Sequence, residues 1–194
     1  MGRVIALANQ KGGVGKTTTS VNLGASLAVA EKRTLVVDMD PQANATSGLG
    51  YTVEEVERSL YDVLIGHASI PDIVQPVADL EDLSLAPSTR DLVAVDVELV
   101  DAEHRESILR DALTSLRDRF DYILIDCPPS LGLLTLNSLV AADSVIVPLQ
   151  CEYYALEGLS ELLRTIDRVR DSFNGQLAVD GIVLTMSDPR NNLS

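Results

Sequence analysis

Between residues 9 and 19 the chain reads Asn9-Gln10-Lys11-Gly12-Gly13-Val14-Gly15-Lys16-Thr17-Thr18-Thr19. Residue types in this order suit one task, holding a phosphate chain. Glycines let the backbone curl until successive N–H groups point inward at phosphate oxygens. A helix starting just after them adds the positive end of its dipole. Lys16 can then reach the β- and γ-phosphates of ATP, Thr17 can complete an octahedral Mg²⁺ shell, and Thr18 falls on the α-phosphate side. The usual pattern G-x-x-x-x-G-K-[ST] is not strictly met, because its first glycine would fall on Gln10. A second lysine, Lys11, sits too early to duplicate Lys16 on the same face. Its expected use is to cross a dimer interface and neutralise charge on the partner's ATP, as an arginine finger does.

Two acidic positions complete the candidate chemistry. Asp38-Met39-Asp40-Pro41 ends a short apolar run. Strand residues two apart share a face, so both carboxylates are expected to point toward the nucleotide. One would orient or deprotonate the attacking water and the other would hold a Mg²⁺-bound water. The plainer role for this pair is to cap the turn at Pro41. Asp126 follows Ile123-Leu124-Ile125 and precedes Cys127-Pro128-Pro129-Ser130. A lone carboxylate after an apolar strand is where a Mg²⁺ ligand is expected, direct or through water. The two prolines stiffen the loop beyond it, so that it would move as one piece.

Positioning these groups requires an alternating architecture. Val4–Ala8, Thr34–Asp38, Tyr122–Ile125, Ser144–Leu149 and Ala178–Thr185 read as strands, with Leu83–Ala86 a weaker candidate. Runs so uniformly apolar imply strands buried on both faces, as in a parallel sheet covered by helices. A helix is expected over roughly Thr17–Ala30. Two more carry apolar stripes, one from Ile108 to Phe120 and one from Leu156 to Phe173. Thr52–Arg58 reads as a surface loop or short helix. The expected fold is α/β, a doubly wound and mostly parallel sheet with helices on both faces, with the site at the carboxyl ends of its strands. One domain, residues 1–194, is the expectation at this length.

Fifteen Lys and Arg against 29 Asp and Glu leave a net charge of −14, which excludes a surface of general positive potential. Nucleic-acid binding would therefore need a local patch or a surface assembled by dimerisation. No apolar run approaches the ~20 residues of a membrane span, and the N-terminal residues run straight into the first strand without a leader-like pattern. Two cysteines cannot build a disulfide framework or a zinc site. A cytoplasmic location is expected. Ser187–Ser194 reads as a loop leading into another helix, so a C-terminal truncation is expected.

Lys11–Thr18, Asp38–Gln42 and Asp126–Ser130 together resemble the deviant Walker A ATPases. With Gln150-Cys151-Glu152-Tyr153-Tyr154-Ala155-Leu156-Glu157-Gly158-Leu159 and Leu184–Asp188 they resemble, more narrowly, the ParA/Soj chromosome- and plasmid-partition proteins. The resemblance covers essentially the whole chain. It implies a P-loop fold in which ATP closes a face-to-face homodimer, with Lys11 on the other subunit's phosphates and Gly12 allowing close approach. Asp40 would position the hydrolytic water and Asp126 would organise Mg²⁺. The ATP-bound dimer would bind DNA without sequence preference, and a ParB-like partner would stimulate hydrolysis and release it. A nucleoid-associated location follows. Arg190 falls where this subfamily carries a DNA-contacting arginine. The loop that contacts adenine in such proteins would lie past Ser194.

Arg164, Arg168 and Arg170 offer a second basic patch, but Glu161, Asp167 and Asp171 are interleaved, which favours a salt-bridged helix face. A membrane-associated MinD-type ATPase would need a C-terminal amphipathic helix. A nitrogenase-type iron protein would need a cysteine shortly after Asp126, and Leu131–Leu136 contains none. A metabolic P-loop ligase or kinase would need an acceptor pocket.

Overall fold

The computed structural model describes residues 1–152 and 155–187, the side chains of 155–157 excepted. The chain begins β1 (Arg3–Leu7), α1 (Lys16–Val29) and β2 (Thr34–Asp38), followed by the short helices α2 (Asn44–Gly48), α3 (Leu60–Leu64) and α4 (Ile70–Ile73). Next come the hairpin strands β3 (Gln75–Val77) and β4 (Leu80–Ala86), the helices α5 (Val95–Glu98) and α6 (Ile108–Leu113), and β5 (Tyr122–Asp126). Then follow α7 (Leu133–Ala141), β6 (Ser144–Gln150), α8 (Ala155–Ser172) and β7 (Ala178–Thr185). The sheet runs β3-β4-β2-β5-β1-β6-β7, parallel throughout except at the β3 edge.

Alternation along the central strands divides the core into two layers. Val4, Ala6, Leu35, Val37, Ile123 and Ile125 face one layer with Leu109, Leu113, Leu139 and Ile166 from the covering helices. Ile5, Leu7, Val36 and Leu124 face the other, which α1 covers with Leu23, Leu27 and Ala28. Helices therefore lie on both faces of the sheet, as the apolar runs required.

The structure departs from the sequence expectation in several places. β7 is not buried on both faces: it is an edge strand, and Ile182 and Leu184 are 47% and 62% exposed. The helix expected from Ile108 to Phe120 ends at Leu113. Beyond it, i→i−3 bonds such as Leu116 N–H to Leu113 O tighten the chain, yet Leu116 and Phe120 still reach the core. The weak strand candidate at Leu83 starts earlier, at Leu80, because β3 folds back along it. α7 had no counterpart in the sequence reading.

Candidate nucleotide-phosphate site

The carboxyl ends of three strands come out in one row, since Leu7 and Asp38 both pair in register with Asp126. The segments that follow those strands must therefore converge on the same edge of the sheet. The first of them is Lys11–Thr18. Gly13 and Gly15 take φ values of 74° and 84°, where a side chain would be strained. The loop is tied down from neighbouring strands. Asn9 Nδ2 donates to the Pro148 carbonyl (2.7 Å), the Lys11 N–H donates to Asn9 Oδ1 (3.0 Å), and Thr185 Oγ1 donates to the Val14 carbonyl (2.7 Å).

A cavity of about 610 Å³ opens above this loop. Gly12, Gly13, Gly15, Lys16, Thr17 and Thr18 line it, joined by Asp40, Asn44, Pro129 and Met186 from three other segments. Val14 is buried behind the loop. Lys16 opens α1 with its side chain buried and its Nζ donating to the Lys11 carbonyl (3.1 Å). Burial pulls its pKa down, against an upward pull from Asp126, Cys127 and Asp40. An ammonium held out of water against a neutral carbonyl gains energy from an arriving anion.

Asp126 is fully buried. Its Oδ1 accepts from Ser20 Oγ (2.9 Å), one helical turn past Lys16. Among the described residues its Oδ2 has no hydrogen-bond partner. Burial raises the carboxyl pKa to about 6, with the Thr17 and Ser20 hydroxyls pulling it down. A buried carboxylate oxygen without a donor, beside the Thr17 hydroxyl, fits a hard divalent cation.

The two carboxylates of Asp38-Met39-Asp40 separate. β2 ends at Asp38, so the strand rule that would put both on one face does not extend to Asp40. Asp40 lines the cavity, with its Oδ1 accepting from the Gln42 N–H (2.9 Å). Asp38 is not among the lining residues. Its Oδ2 accepts from the Thr46 N–H (2.8 Å) and Thr46 Oγ1 (2.7 Å), and its Oδ1 from the Asp40 N–H (3.2 Å). Burial raises its pKa to about 7. Both oxygens of Asp38, the expected second water-holder toward Mg²⁺, thus accept hydrogen bonds from within its own loop.

Lys11 is not among the lining residues and pairs with Glu152 of the same chain, both side chains being partly exposed. Of the helix α8 arginines, Arg170 is paired with Asp167 (2.9 Å) as expected, whereas Arg164 and Arg168 are exposed and in no ion pair among the described residues. Arg190, Tyr153 and Tyr154 lie outside the described residues. The sequence reading missed Ser20, Thr46 and Ser88, of which Ser20 carried a signal at one helical turn from Lys16; Thr185 and Met186 fall in the Leu184–Asp188 motif, named there without a role at the loop.

A phosphate loop between the first strand and first helix of a parallel sheet, backed by a buried carboxylate with one oxygen unpartnered among the described residues, defines a P-loop nucleotide-binding protein. Known proteins agree. The family described as AAA domain matches residues 2–179. The chromosome partitioning protein ParA of Myxococcus xanthus is 56% identical over 194 residues, 100% of this chain and 68% of that one. The sporulation initiation inhibitor protein Soj of Bacillus subtilis is 54% identical over 193 residues, 100% of this chain and 76% of that one. Among solved structures, cobyrinic acid a,c-diamide synthase from Mycobacterium smegmatis with bound ADP and magnesium superposes with a TM-score of 0.94 at 43% identity, over 98% of this chain and 77% of that one. A putative plasmid partition protein from Borrelia burgdorferi bound to AMPPNP gives 0.84 at 30% identity, over 100% and 77%. The chain belongs to the ParA/Soj family of partition ATPases. Among the described residues no helix is long and apolar enough to cross a membrane.

Proposed function

We propose that this chain, as a single domain, is an ATP-driven switch of partition type: it binds ATP with Mg²⁺, dimerises around the nucleotide, and hydrolyses it slowly until a partner intervenes. The observation that carries this reading is that Lys16 and Asp40 line one cavity over the glycine-rich loop, while the buried Asp126, with Oδ2 unpartnered among the described residues, sits against the first turns of α1. Backbone amides of Gly12–Lys16 and the Lys16 ammonium cradle the β- and γ-phosphates, with Thr18 on the α-phosphate side. Thr17 and Asp126 are the residues that would hold Mg²⁺, which when bound neutralises charge developing on the phosphates. Asp38 acts by fixing the loop that bears Asp40, and Asp40 orients the attacking water.

Two features support the dimer. Gly12 has no left-handed φ and, among the described residues, no atom within 4 Å of the place its Cβ would take. Nothing within the chain therefore demands glycine there, whereas a partner surface would. Among the described residues the Lys11 side chain is held by one exposed ion pair, a contact of about 0–1 kcal/mol, so it can exchange Glu152 for a partner's phosphates. Lys11→Ala should abolish ATP-dependent dimerisation while ATP binding to the single chain persists. Sizing with ATP, ADP and no nucleotide, beside calorimetry, reads this. Loss of all nucleotide binding would make Lys11 a ligand within its own subunit.

The dimer would bind DNA non-specifically, with Arg190 contributing, and a ParB-like protein would stimulate hydrolysis and release it, so that a cytoplasmic, nucleoid-associated cycle drives segregation of a chromosome or plasmid. At a net charge of −14, such binding must come from a local patch or from a surface that dimerisation assembles. It should require ATP and weaken steeply with salt, because phosphate contacts release counterions. Binding without ATP, or indifferent to salt between low and physiological concentration, would remove this part.

A small-molecule ligase remains the competing reading, favoured by the diamide synthase among the superposed structures. The partition relatives are more similar in sequence, at 54–56% against 43%. ADP release with water as the sole acceptor separates the two.

A further inference from the structure

Two fully buried hydroxyls, Thr46 and Ser88, hold the segment that carries Asp40. The Ser88 N–H donates to Thr46 Oγ1 (3.0 Å), which in turn donates to Asp38 Oδ2 (2.7 Å). Asp38 Oδ1 accepts from the Asp40 N–H (3.2 Å), and the Asp40 carbonyl accepts from Ser88 Oγ (2.6 Å). The bonds close a ring through four residues from three segments: the end of β2, the short helix α2, and the turn after β4. Both peptide groups flanking the Asp40 Cα are thereby anchored. A residue has only two soft backbone dihedrals, and fixing the groups on either side fixes both. The ring therefore sets the direction in which the Asp40 side chain leaves the main chain.

Neither hydroxyl belongs to the cavity wall. The turn they hold is not relaxed by itself, since Ala43 sits at φ 53° in the left-handed region. Left to local preference, Asp40–Ala43 would sample other arrangements. The ring also consumes Thr46 completely, as its hydroxyl donates once and accepts once, and its N–H is bound to the same Asp38 oxygen (2.8 Å).

We propose that Thr46 and Ser88 are positioning residues for ATP hydrolysis, holding the Asp40 carboxylate at the cavity through Asp38 and the Asp40 main chain. This rests on the reading of Asp40 as the water-orienting group. The hydroxyls never touch nucleotide, so they govern turnover and leave affinity alone.

The test measures Mg·ATP affinity by calorimetry and hydrolysis in single turnover for Thr46→Val, Thr46→Ser and Ser88→Ala, each alone and combined with Asp40→Ala. Valine keeps the shape of threonine and removes its hydroxyl; serine restores the hydroxyl. Thr46→Val and Ser88→Ala should slow hydrolysis about tenfold, the effect of some 1.4 kcal/mol in the barrier, with ATP affinity within about twofold. Thr46→Ser should hydrolyse near the wild-type rate. In the Asp40→Ala background neither change should slow hydrolysis further, because groups acting as one unit are not additive. Wild-type rates for both Thr46→Val and Ser88→Ala, alongside a slow Asp40→Ala, would overturn this proposal and leave the Asp40 reading intact. A wild-type rate for Asp40→Ala would remove that reading itself. Equal slowing with and without Asp40 would show the hydroxyls acting independently of it and also sink the proposal. If Thr46→Val melts, Ser88→Ala, which removes a single bond, carries the test.

Discussion

Asp40→Ala is expected to bind ATP as tightly as the wild type and to hydrolyse it about a hundredfold or more slowly, the range over which a positioned acid–base group contributes. The separation of binding from turnover follows from which atoms are used where. In the proposed site the phosphate cradle is backbone amide plus Lys16, and the Asp40 side chain makes no hydrogen bond to it among the described residues. The ring that shapes the loop uses the Asp40 N–H and carbonyl, which alanine retains. Among the described residues only the Gln42 N–H loses a partner, and it lies at the part-buried edge of the turn. Removing a carboxylate beside a triphosphate lowers repulsion, so affinity should hold or rise slightly. The variant should accumulate as an ATP-bound dimer visible by sizing, while phosphate release in single turnover nearly stops. Phosphate release at the wild-type rate would show that another group orients the water.

The parts of this site that depend on neighbours in sequence were legible before the structure, and those that depend on neighbours in space were not. Glycines at 13 and 15 and the lysine at 16 announce their roles by order alone, because a phosphate loop is a local object. Thr34–Asp38 and Ala178–Thr185 were bounded as observed, since β-branched runs between turn residues leave few alternatives. α7 was invisible for a physical reason: seven of its nine residues are buried, so it carries no polar stripe and no helical period. β3 was hidden by Pro76, which is tolerated only because the strand lies at the sheet edge. The Asp40 carbonyl is held by Ser88, far along the chain, which also donates its N–H to Thr46. Lys11 met Glu152 across 141 residues. No spacing rule reaches such pairs; strand order does, because β4 lies beside β2, and β6 beside β1.

Asp126→Asn should make the ligand-free protein more stable at pH 8 and at the same time remove most of the stabilisation that Mg·ATP confers. The carboxyl is buried, and burial lifts its pKa to about 6 in the folded chain from an ordinary 3.8. A folded-state pKa raised above the unfolded one means the fold holds the proton more tightly. Stability therefore falls as pH rises from about 4 to about 6, and above that the full penalty, on the order of 3 kcal/mol for a shift of about two units, is present. Asparagine removes the charge, keeps an oxygen for the Ser20 hydroxyl, and puts an N–H₂ where Oδ2 has no donor. It also relieves Asp38, whose own raised pKa owes part of its shift to Asp126. The gain should shrink toward pH 4, where the wild-type carboxyl is neutral. The loss is electrostatic as well: an amide is a far weaker partner than a carboxylate for a hard divalent cation, so the thermal shift on adding Mg·ATP should collapse while ATP without magnesium behaves as before. An Asp126→Asn protein that melts below the wild type at pH 8 would mean that the Asp126 charge is compensated in the ligand-free fold. A full Mg·ATP shift in that variant would place the cation elsewhere.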